Sequence, residues 1–435
     1  MTQISSSNPL LTIDKISKQA LTVISTLHQS GFSAYLVGGG VRDMLLGLLP
    51  KDFDIATDAT PDEVKSLFRN CRLIGRRFRL AHILFGREII EVATFRANHE
   101  EDSHSSHHKP IDYRQHSGHT KDGMIVRDNV YGDIEEDAQR RDFSINGLYF
   151  EPYSHTLIDY ANGHSDIENK TIRVIGDPLQ RFQEDPVRML RAVRFSAKLD
   201  FNIESQAKKL VQSQGHLLHK ISPARLFDES LKLLQGGYGV KCFHALQENH
   251  LFSYLFPSVQ KLIEQKHETI SPFILQALKN TDQRIGIGKT VNPAFIVSVL
   301  LWYPMLKLKS KLLADNQENE FQTLLLASQE VLKQQQSYTA IPKRLGFMIK
   351  DIWLMQSRLE KPTKKNAPVV LAHKRFRATY DFLELRIKMG ETQHQNIFNW
   401  WTEIQEVDEG EQQQMMQKLP SNSSKNKRKK RFIKK

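Results

Sequence analysis

The sequence predicts an α+β protein with a small mixed α/β head, a long all-α body and a disordered basic tail. Three observations predict this arrangement. Strand-like and helix-like segments alternate over about the first 100 residues, and helix-forming segments dominate after about residue 175. The segment 425–435 carries eight Lys or Arg and no acid. At 435 residues the chain is also too long for one ordinary core.

The first elements of the head follow from hydrophobic periodicity. Residues 13–29 place six apolar side chains at helical spacing, and Gly31 ends this amphipathic helix. The alternation of apolar residues with turn residues then predicts further short elements. These are a strand at 33–39, a helix at 41–49, a strand at 51–57, and a hairpin of two strands at 79–86 and 87–96.

A polar stretch at 99–122 interrupts the head. It contains six histidines, few apolar residues and no period, which is typical of a mobile insertion. A metal site formed by His104, His107 and His108 is the alternative. The predicted divisions are a head at 1–165 with the insertion 99–122, a helical nucleotide- and RNA-binding neck at 166–240, an RNA-guiding helical body at 241–415 and the tail at 416–435.

Positive charge is concentrated at the end of the chain. The net charge is +12, and because 425–435 contributes +8, the remaining residues hold only 12 − 8 = +4. A Gln- and Ser-rich linker precedes this segment, so we expect it to move freely and to bind RNA or DNA phosphates through counterion release. The alternative is a merely solubilising end. The predicted RNA-binding residues of the tail are Lys427, Arg428, Lys429, Lys430 and Arg431.

Other features indicate a cytoplasmic protein that does not span a membrane. The N-terminus lacks a basic start followed by an apolar run, so no signal peptide is predicted. The most apolar segment, 293–306, is shorter than the roughly 20 residues of a spanning helix and contains prolines. Cys71 and Cys242 lack the C-x-x-C spacing of a zinc or redox site, which favours a reduced compartment and a packing role for both.

The stretch "YLVGGGVRDMLLGLLPKDFDIAT" (35–57) carries the strongest indication of chemistry. Side chains two apart in a strand project from the same face, so Asp52 and Asp54 would present two carboxylates together. Such a pair suits Mg²⁺, which binds oxygen ligands and is commonly shared with substrate phosphates. The glycines at 38–40 lie before a helix start, where the backbone can approach a phosphate. A solvated acidic pair and a simple tight turn are the respective alternatives.

Arginines accumulate in two later segments. "RRDFSIN" (140–146) places Arg141 and Asp142 before an apolar turn. In "EDPVRMLRAVR" (184–194), arginines recur every third residue and so are neighbours on a helix surface. Guanidinium groups suit triphosphate oxygens and base edges. The alternative is an exposed helix with salt bridges.

These segments together resemble the class II nucleotidyltransferases of the polymerase-beta superfamily, which comprises bacterial poly(A) polymerases and CCA-adding enzymes. The resemblance covers most of the chain and implies a polymerase-beta-like nucleotidyltransferase head. The segment "LIGRRFRLAHI" (73–83) is similar to the basic signature of the poly(A) polymerase branch. The insertion at 99–122 is the part least similar to the family.

The resemblance implies a role for each matching residue. Asp52 and Asp54 would hold two Mg²⁺ ions, and either Asp142 or Glu91 would be a further catalytic acid, although Asp142 could instead organise the arginines. Asp185 and Arg188 would present a protein template to the base edge. The residues implied in nucleotide binding are Gly38, Gly39, Arg42, Arg141, Asp185, Arg188, Arg191 and Arg194.

Two segments are candidates for contact with RNA. The resemblance implies that Arg76 and Arg77 lie near primer or nucleotide phosphate; alternatively, they only solvate a strand. Arginines also interleave with aromatic residues at 373–386, which could guide RNA. An amphipathic core helix is the interpretation favoured for those aromatic side chains.

The implied reaction is template-independent transfer of AMP from ATP to RNA 3′ ends by a monomer that needs Mg²⁺, with RNA-decay proteins as further partners. A CCA-adding tRNA nucleotidyltransferase is the alternative within the family. An RNA-binding protein with an inactive head is the alternative from another class, and the intact D-x-D argues against it.

Overall fold

The computed structural model describes residues 2–5, 9–75, 79–97, 118–119, 125–127, 130–315 and 319–421. The chain divides into two compact units, Met1–Leu218 and His219–Lys435. The first is mixed α/β and the second is helical over the described residues, which confirms the predicted fold class. The finer boundaries at 165, 240 and 415 stay predictions.

The first unit is built on an eight-stranded sheet with the strand order β1-β10-β9-β2-β3-β6-β5-β4. Within it, β3 and β6 are parallel, and the other neighbouring strands are antiparallel. The strands of this sheet are β1 Thr2–Ser5, β2 Ala34–Val37, β3 Asp54–Thr57, β4 Cys71–Ile74, β5 Leu80–Phe85, β6 Glu88–Thr94, β9 Leu148–Glu151 and β10 Thr156–Asp159. Two separate pairs are formed by β7 Gly118–His119 with β8 Ile125–Arg127 and by β11 Thr171–Ile172 with β12 Asn202–Ile203.

Helices pack on this sheet and continue the chain beyond it. The helices of the first unit are α1 Lys18–Gln29, α2 Gly39–Leu45, α3 Pro61–Leu67, α4 Ile134–Gln139, α5 Gly163–Glu168, α6 Pro178–Glu184, α7 Val187–Leu199 and α8 Ser205–Ser213. Three-residue 3₁₀ turns at Ile13–Lys15 and Ser144–Asn146 complete its main elements, and a further 3₁₀ helix, Gly215–Lys220, includes the residues at which the chain is divided into the two units.

The predicted strands and helices of the head are present, with different bounds: β3 begins at Asp54 rather than at 51, α2 ends at Leu45 rather than at 49, and two helices begin elsewhere than predicted. Helix α1 begins at Lys18 rather than Ile13, because the Ser17 side chain accepts a hydrogen bond from the Ala20 N–H (3.2 Å) and caps the helix there. Helix α2 begins at Gly39, two residues earlier than predicted. The hairpin of β5 and β6 is present as predicted.

The second unit consists of helices over its described residues. They are α9 Pro223–Leu234, α10 Gly239–Glu248, α11 Phe252–Leu255, α12 Pro257–Glu264, α13 Ile270–Gly286, α14 Pro293–Leu300, α15 Trp302–Asp315, α16 Glu320–Gln335, α17 Lys343–Glu360, α18 Ala367–Leu371, α19 Phe376–Lys388, α20 Gln395–Glu403 and α21 Glu409–Gln417, with a 3₁₀ turn at Thr392–His394.

Aromatic side chains form much of the core of this unit. Trp401 and Trp353 are fully buried, and each indole N–H donates to a backbone carbonyl, of Leu359 (2.9 Å) and Ser298 (3.1 Å) respectively. The aromatic residues of the segment 373–386 lie on α19 and are buried as well. For these aromatic side chains the structure therefore supports the core-helix interpretation over RNA guidance.

Several predicted features lie outside the described residues. They are most of the His-rich insertion, including His104, His107 and His108, the two arginines Arg76 and Arg77, and the basic tail with Lys427, Arg428, Lys429, Lys430 and Arg431. Among the helices that the structure describes, we find none with the length and apolarity that a membrane span requires.

Candidate active site

Two acidic side chains lie on one face at the start of β3. Asp52 and Asp54 are exposed, whereas Phe53 and Ile55 are buried, so exposure alternates as it does along a half-buried strand. Strand β3 itself begins at Asp54, so Asp52 lies just before it. The two carboxylates therefore point away from the core together, as the sequence predicts.

A third carboxylate lies on the neighbouring strand. Glu91 of β6 is paired in register with Asp54, and because these strands are parallel, the two side chains lie side by side on one face. On the other side, His82 of β5 is in register with Glu91, and its Nε2 lies 3.1 Å from Glu91 Oε1. This distance is that of an ion pair, although the direction is not that of a hydrogen bond. His82 was not singled out from the sequence.

The concentration of negative charge changes the acidity of Asp54. Its pKa is raised from 3.8 to about 6, first because neighbouring atoms reduce the hydration of the carboxylate and then because of the Glu91 charge. Asp52 raises this pKa further, whereas Arg141 and His82 lower it. The side chain nevertheless keeps an exposed face. A cation bound here would relieve the repulsion between the carboxylates.

The glycine turn lies directly beside these acids. Val37, the last residue of β2, is in register with Asp54, so the turn at 38–40 begins next to the start of β3. Gly38 has φ +66° and ψ −126°, a conformation that residues with a side chain rarely adopt. A Cβ atom at Gly38 would lie 3.4 Å from Arg141 Nη1, and one at Gly40 would lie 3.4 Å from the Asp52 carbonyl oxygen.

Substitution of Gly38 tests the importance of this turn. We expect Gly38→Ala to lower the free energy of unfolding by about 1–2 kcal/mol, because alanine is strained at this φ. Since the family resemblance implies ATP as the substrate, we also expect this variant to have a higher KM for ATP, because the new methyl group lies against the Arg141 guanidinium. Gly47→Ala is the matched control, since Gly47 has φ +72° but open space around its Cβ position. Equal ATP kinetics in the two variants would contradict a specific role for the Gly38 turn.

Arg141 is held in place by a buried acid. Its Nη2 donates to Asp137 Oδ2 (3.0 Å) and its Nε to the Tyr149 hydroxyl (2.9 Å), which in turn donates to Asp137 Oδ2 (2.6 Å). Arg140 Nε also donates to Asp137 (3.2 Å). Burial opposes the charge on Arg141, but Tyr149 and Asp137 outweigh that effect and raise its pKa. Sequence reasoning did not find Asp137, which is one of several acids in α4.

Asp142 is paired with an arginine of α7. Its Oδ2 accepts from Arg191 Nε (2.6 Å), and its Oδ1 accepts from Asn146 Nδ2 (3.1 Å) and the Phe143 N–H (2.9 Å). Burial would raise the pKa of Asp142, but Arg191 and Asn146 outweigh it and lower the pKa. Asp142 thus contacts Arg191, one of the arginines that it was predicted to organise, and its role stays a prediction.

The side chain of Arg42 is buried and donates hydrogen bonds to two other side chains. It is 2% exposed, and it donates to Asp43 Oδ1 from Nε (2.8 Å) and to Asn146 Oδ1 from Nη1 (2.6 Å). Asp43 also lies 3.5 Å from Lys198 Nζ. The carboxylate of Asp43, the residue next to Arg42 in the sequence, therefore orients a guanidinium that was predicted to bind phosphate.

Three guanidinium groups surround the ring of Phe195 on α7. The Cζ atoms of Arg194, Arg42 and Arg191 lie 4.8, 5.1 and 5.4 Å from the ring centroid. Arg194 Nε is buried and has no hydrogen-bond partner among the described residues. We call Arg42, Arg191 and Arg194 the arginine cluster. It brings a predicted residue from α2 together with two from α7.

Arg188 lies in a separate buried pair at the start of α7. Its Nη1 donates to Glu184 Oε2 (3.0 Å) and to the Arg181 carbonyl oxygen (2.8 Å). Glu184 also accepts from Arg181 Nη1 (2.8 Å). Asp185, the residue after α6, is partly exposed and accepts from the Val187 N–H (3.3 Å) through its side chain. The two predicted template residues are therefore close in sequence but differ in exposure.

The carboxylates at the start of β3 and on β6 suit a hard divalent cation such as Mg²⁺, which prefers oxygen ligands. Asp52, Asp54 and Glu91 offer oxygen ligands on one open face, and the pKa of Asp54 is raised by reduced hydration and then by the charge of Glu91. Among the described residues, no three His, Cys, Asp or Glu side chains form a preformed metal cage. Mg²⁺ does not need one, because it is commonly bound by one or two carboxylates together with substrate phosphates and water.

Comparison with known proteins places this site in a family. Residues 34–173 match the model of the poly A polymerase head domain, residues 200–263 that of the "Probable RNA and SrmB- binding site of polymerase A", and residues 316–435 that of the polymerase A arginine-rich C-terminus. The chain is 46% identical to poly(A) polymerase I of Salmonella typhimurium over 418 residues, which are 96% of this chain and 88% of that protein. The chain belongs to the poly(A) polymerase family.

The chain is also similar to CCA-adding enzymes. The one from Lactobacillus helveticus is 36% identical over 245 residues, 56% of this chain and 57% of that protein. The crystal structure of the Bacillus stearothermophilus CCA-adding enzyme in complex with CTP aligns with a TM-score of 0.57 at 23% identity, over 88% of this chain and 82% of that one. These findings confirm the predicted resemblance, and the curated relatives confirm the prediction of a polynucleotide adenylyltransferase.

Proposed function

We propose that this chain transfers AMP from ATP to the 3′-hydroxyl of RNA without a template, by means of the carboxylates Asp52, Asp54 and Glu91 and the arginine cluster. The observation that carries this mechanism is the adjacency of the D-x-D face to the glycine turn through the pairing of Val37 with Asp54. The extensive identity to poly(A) polymerase I supports the reaction itself.

The carboxylates would act by holding metal and substrate oxygens. Asp52 and Asp54, with Glu91 as a third acid, would hold two Mg²⁺ ions, which when bound supply activation of the attacking hydroxyl and stabilisation of the leaving pyrophosphate. The rigid pairing of β3 with β6 would keep these acids in a fixed geometry for in-line attack on the α-phosphorus.

The glycine turn and the arginines would bind the triphosphate. Without side chains at 38–40, phosphate oxygens can come close to the backbone, and Arg141 borders the turn, held there by Asp137. Arg191 and Arg194 would neutralise the phosphates, each as a planar donor. We propose that Asp142 acts as a positioning residue, because it accepts two hydrogen bonds that fix Arg191 and Asn146.

Selection of the base would depend on Asp185, which follows α6, and Arg188 of α7. Asp185 and Arg188 can offer an acceptor and donors at fixed positions, as protein groups do when they read base edges. Glu184 would fix Arg188, since it accepts from its guanidinium. We further propose that the chain works as a cytoplasmic monomer on RNA 3′ ends, with RNA-decay proteins as partners.

An assay with single nucleotides tests the reaction. With a generic oligoribonucleotide, we expect ATP and Mg²⁺ to give long homopolymeric tails and CTP to give little extension. Incorporation of CTP that is confined to truncated tRNA would contradict this proposal and favour a CCA-adding enzyme, which the 36% identity to such enzymes makes the rival reaction. RNA binding without any extension by wild-type protein would favour an inactive head.

A further inference from the structure

Helix α17 of the second unit has two faces of opposite character. One face packs into the core through Met348, Ile349, Ile352, Trp353, Met355, Gln356 and Leu359, all of them buried. The opposite face is exposed or partly exposed and consists of Lys343, Phe347, Lys350, Leu354 and Arg358 at spacings of three and four residues. We call this opposite face the α17 outer face.

An exposed aromatic ring lies within this face. Phe347 is 63% exposed and lies between Lys343 and Lys350 on this face. Lys350 Nζ lies 4.8 Å from the centroid of its ring, within the range of a cation–π contact. The core packing of α17 does not account for Phe347, because the ring points to solvent.

The cations of this face are not neutralised locally. Lys343, Arg344 and Arg358 make no ion pair with any residue of the described part of the chain. Helix α17 contains two acids, and Glu360 is already bound to Arg386 (2.6 Å). The three cations of the α17 outer face, Lys343, Lys350 and Arg358, together with Arg344 next to it, are opposed by one other acid of the helix, Asp351, which gives a local charge of 4 − 1 = +3.

The geometry points to a single-stranded nucleic acid as the occupant. From Lys343 to Arg358 the face extends about 22 Å at the rise of an α-helix, enough for several nucleotides. Proteins that bind single strands combine a positive surface with aromatic side chains on which bases stack. A protein-binding patch would instead be depleted of lysine at its centre, whereas here lysine borders the aromatic ring.

We propose that the α17 outer face binds single-stranded RNA, with a base stacked on Phe347 and phosphates on Lys343, Lys350 and Arg358. This inference rests on RNA being the substrate of the proposed function. It adds a contact outside residues 200–263, the segment that matches the RNA-binding family model.

The affinity of full-length variants for RNA tests stacking. With fluorescein-labelled oligo(A) of about 20 nucleotides, we expect Phe347→Ala to raise the Kd about 5-fold or more, because stacking of one base contributes roughly 1–3 kcal/mol. Phe347→Tyr, which keeps the ring, should stay within about 2-fold of wild type. Phe321→Ala is the matched control, since Phe321 is 41% exposed but follows an acid, Glu320, at the start of α16.

The salt dependence of the same binding tests the phosphate contacts. Lys343→Gln combined with Arg358→Gln should reduce the slope of log K against log [salt] by about 1.4, because each phosphate contact to a single strand contributes about 0.7. Unchanged Kd in Phe347→Ala, or an unchanged slope in the double variant, would overturn the inference. Failure of this inference can be distinguished from failure of the proposed function. Absence of AMP transfer by the wild-type protein would refute the proposed function. Normal AMP transfer, together with unaltered RNA binding by the variants, would refute only the proposed RNA-binding role of the α17 outer face.

Discussion

Replacing Asp54 by asparagine is expected to abolish AMP transfer and at the same time to stabilise the metal-free protein. The loss of transfer should be at least about a thousandfold, because a carboxylate that holds a charge-stabilising ion accounts for several kcal/mol of transition-state stabilisation. The gain in stability follows from the reduced hydration of the Asp54 carboxylate and from the nearby charges of Glu91 and Asp52, which together raise its pKa to about 6. Asparagine carries no charge and so avoids both penalties.

The pH dependence of this gain has a definite sign. The folded protein holds the Asp54 proton up to about pH 6, whereas the unfolded chain releases it near 3.8, so wild-type stability falls as the pH rises through this window. The advantage of Asp54→Asn should therefore be absent below about pH 4 and complete above about pH 6. Because Asp54 is exposed, solvent screening reduces the expected gain to about 1 kcal/mol. Urea unfolding in EDTA across this pH range measures it.

Added Mg²⁺ separates a metal site from simple repulsion. Mg²⁺ should raise the free energy of unfolding of the wild type, because a ligand that binds only the folded state stabilises it, and should have a smaller effect on Asp54→Asn. Asp58→Asn is the control, since Asp58 lies just after β3, is exposed, and accepts one N–H from Ser33, which asparagine can also accept. Full tailing activity in Asp54→Asn would refute the role assigned to Asp54.

The local order of the head could be predicted because each element carries its own signal. Alternation of apolar and polar residues predicts β3 and the side of the sheet on which Asp52 and Asp54 lie. The glycines at 38–40 indicate a backbone turn before a helix start; Gly38 has the positive φ of such a turn, whereas Gly39 and Gly40 already belong to α2. Glu91 was a candidate because β6 is a strand next to these elements, although the sequence does not give its register with Asp54.

The partners of the arginines could not be predicted, because they depend on packing between distant segments. Arg42 and Asn146 are 104 residues apart, and nothing in either segment indicates that they form a hydrogen bond. The same holds for Arg191 and Asp142. The sequence alone does not distinguish an arginine that pairs with a buried acid from an arginine that binds phosphate.

Helix starts show the same limit at shorter range. The apolar spacing predicts that the first helix begins at Ile13. The capping hydrogen bond of Ser17 instead makes the α-helix begin at Lys18. Ile16 remains buried outside the helix. Periodicity therefore predicts which side chains face the core, while a single side-chain hydrogen bond decides where the helix begins.

Loss of the Asp137 carboxylate should be the most destabilising single change in the site. Asp137 is 3% exposed and accepts from Arg140, Arg141 and the Tyr149 hydroxyl. Asp137→Asn would leave the guanidinium groups without their counter-charge in a buried setting, and removing one partner of such a pair costs about 3 kcal/mol or more. The KM for ATP should also rise, because Arg141 would no longer be held beside Gly38.

Comparison with Tyr149→Phe distinguishes charge from hydrogen bonding at this position. That variant keeps the Asp137 charge and removes only the hydroxyl, so we expect a loss of about 1–2 kcal/mol. Burial raises the pKa of Asp137, but Arg141 and Arg140 outweigh it and lower the pKa below 3.8. Asp137 thus stabilises the fold above about pH 4, and this contribution disappears as the pH falls through its lowered pKa. The deficit of Asp137→Asn should therefore shrink in acid, whereas that of Tyr149→Phe should persist there; a deficit of Asp137→Asn that is independent of pH would mean that the carboxylate charge is not what holds Arg141.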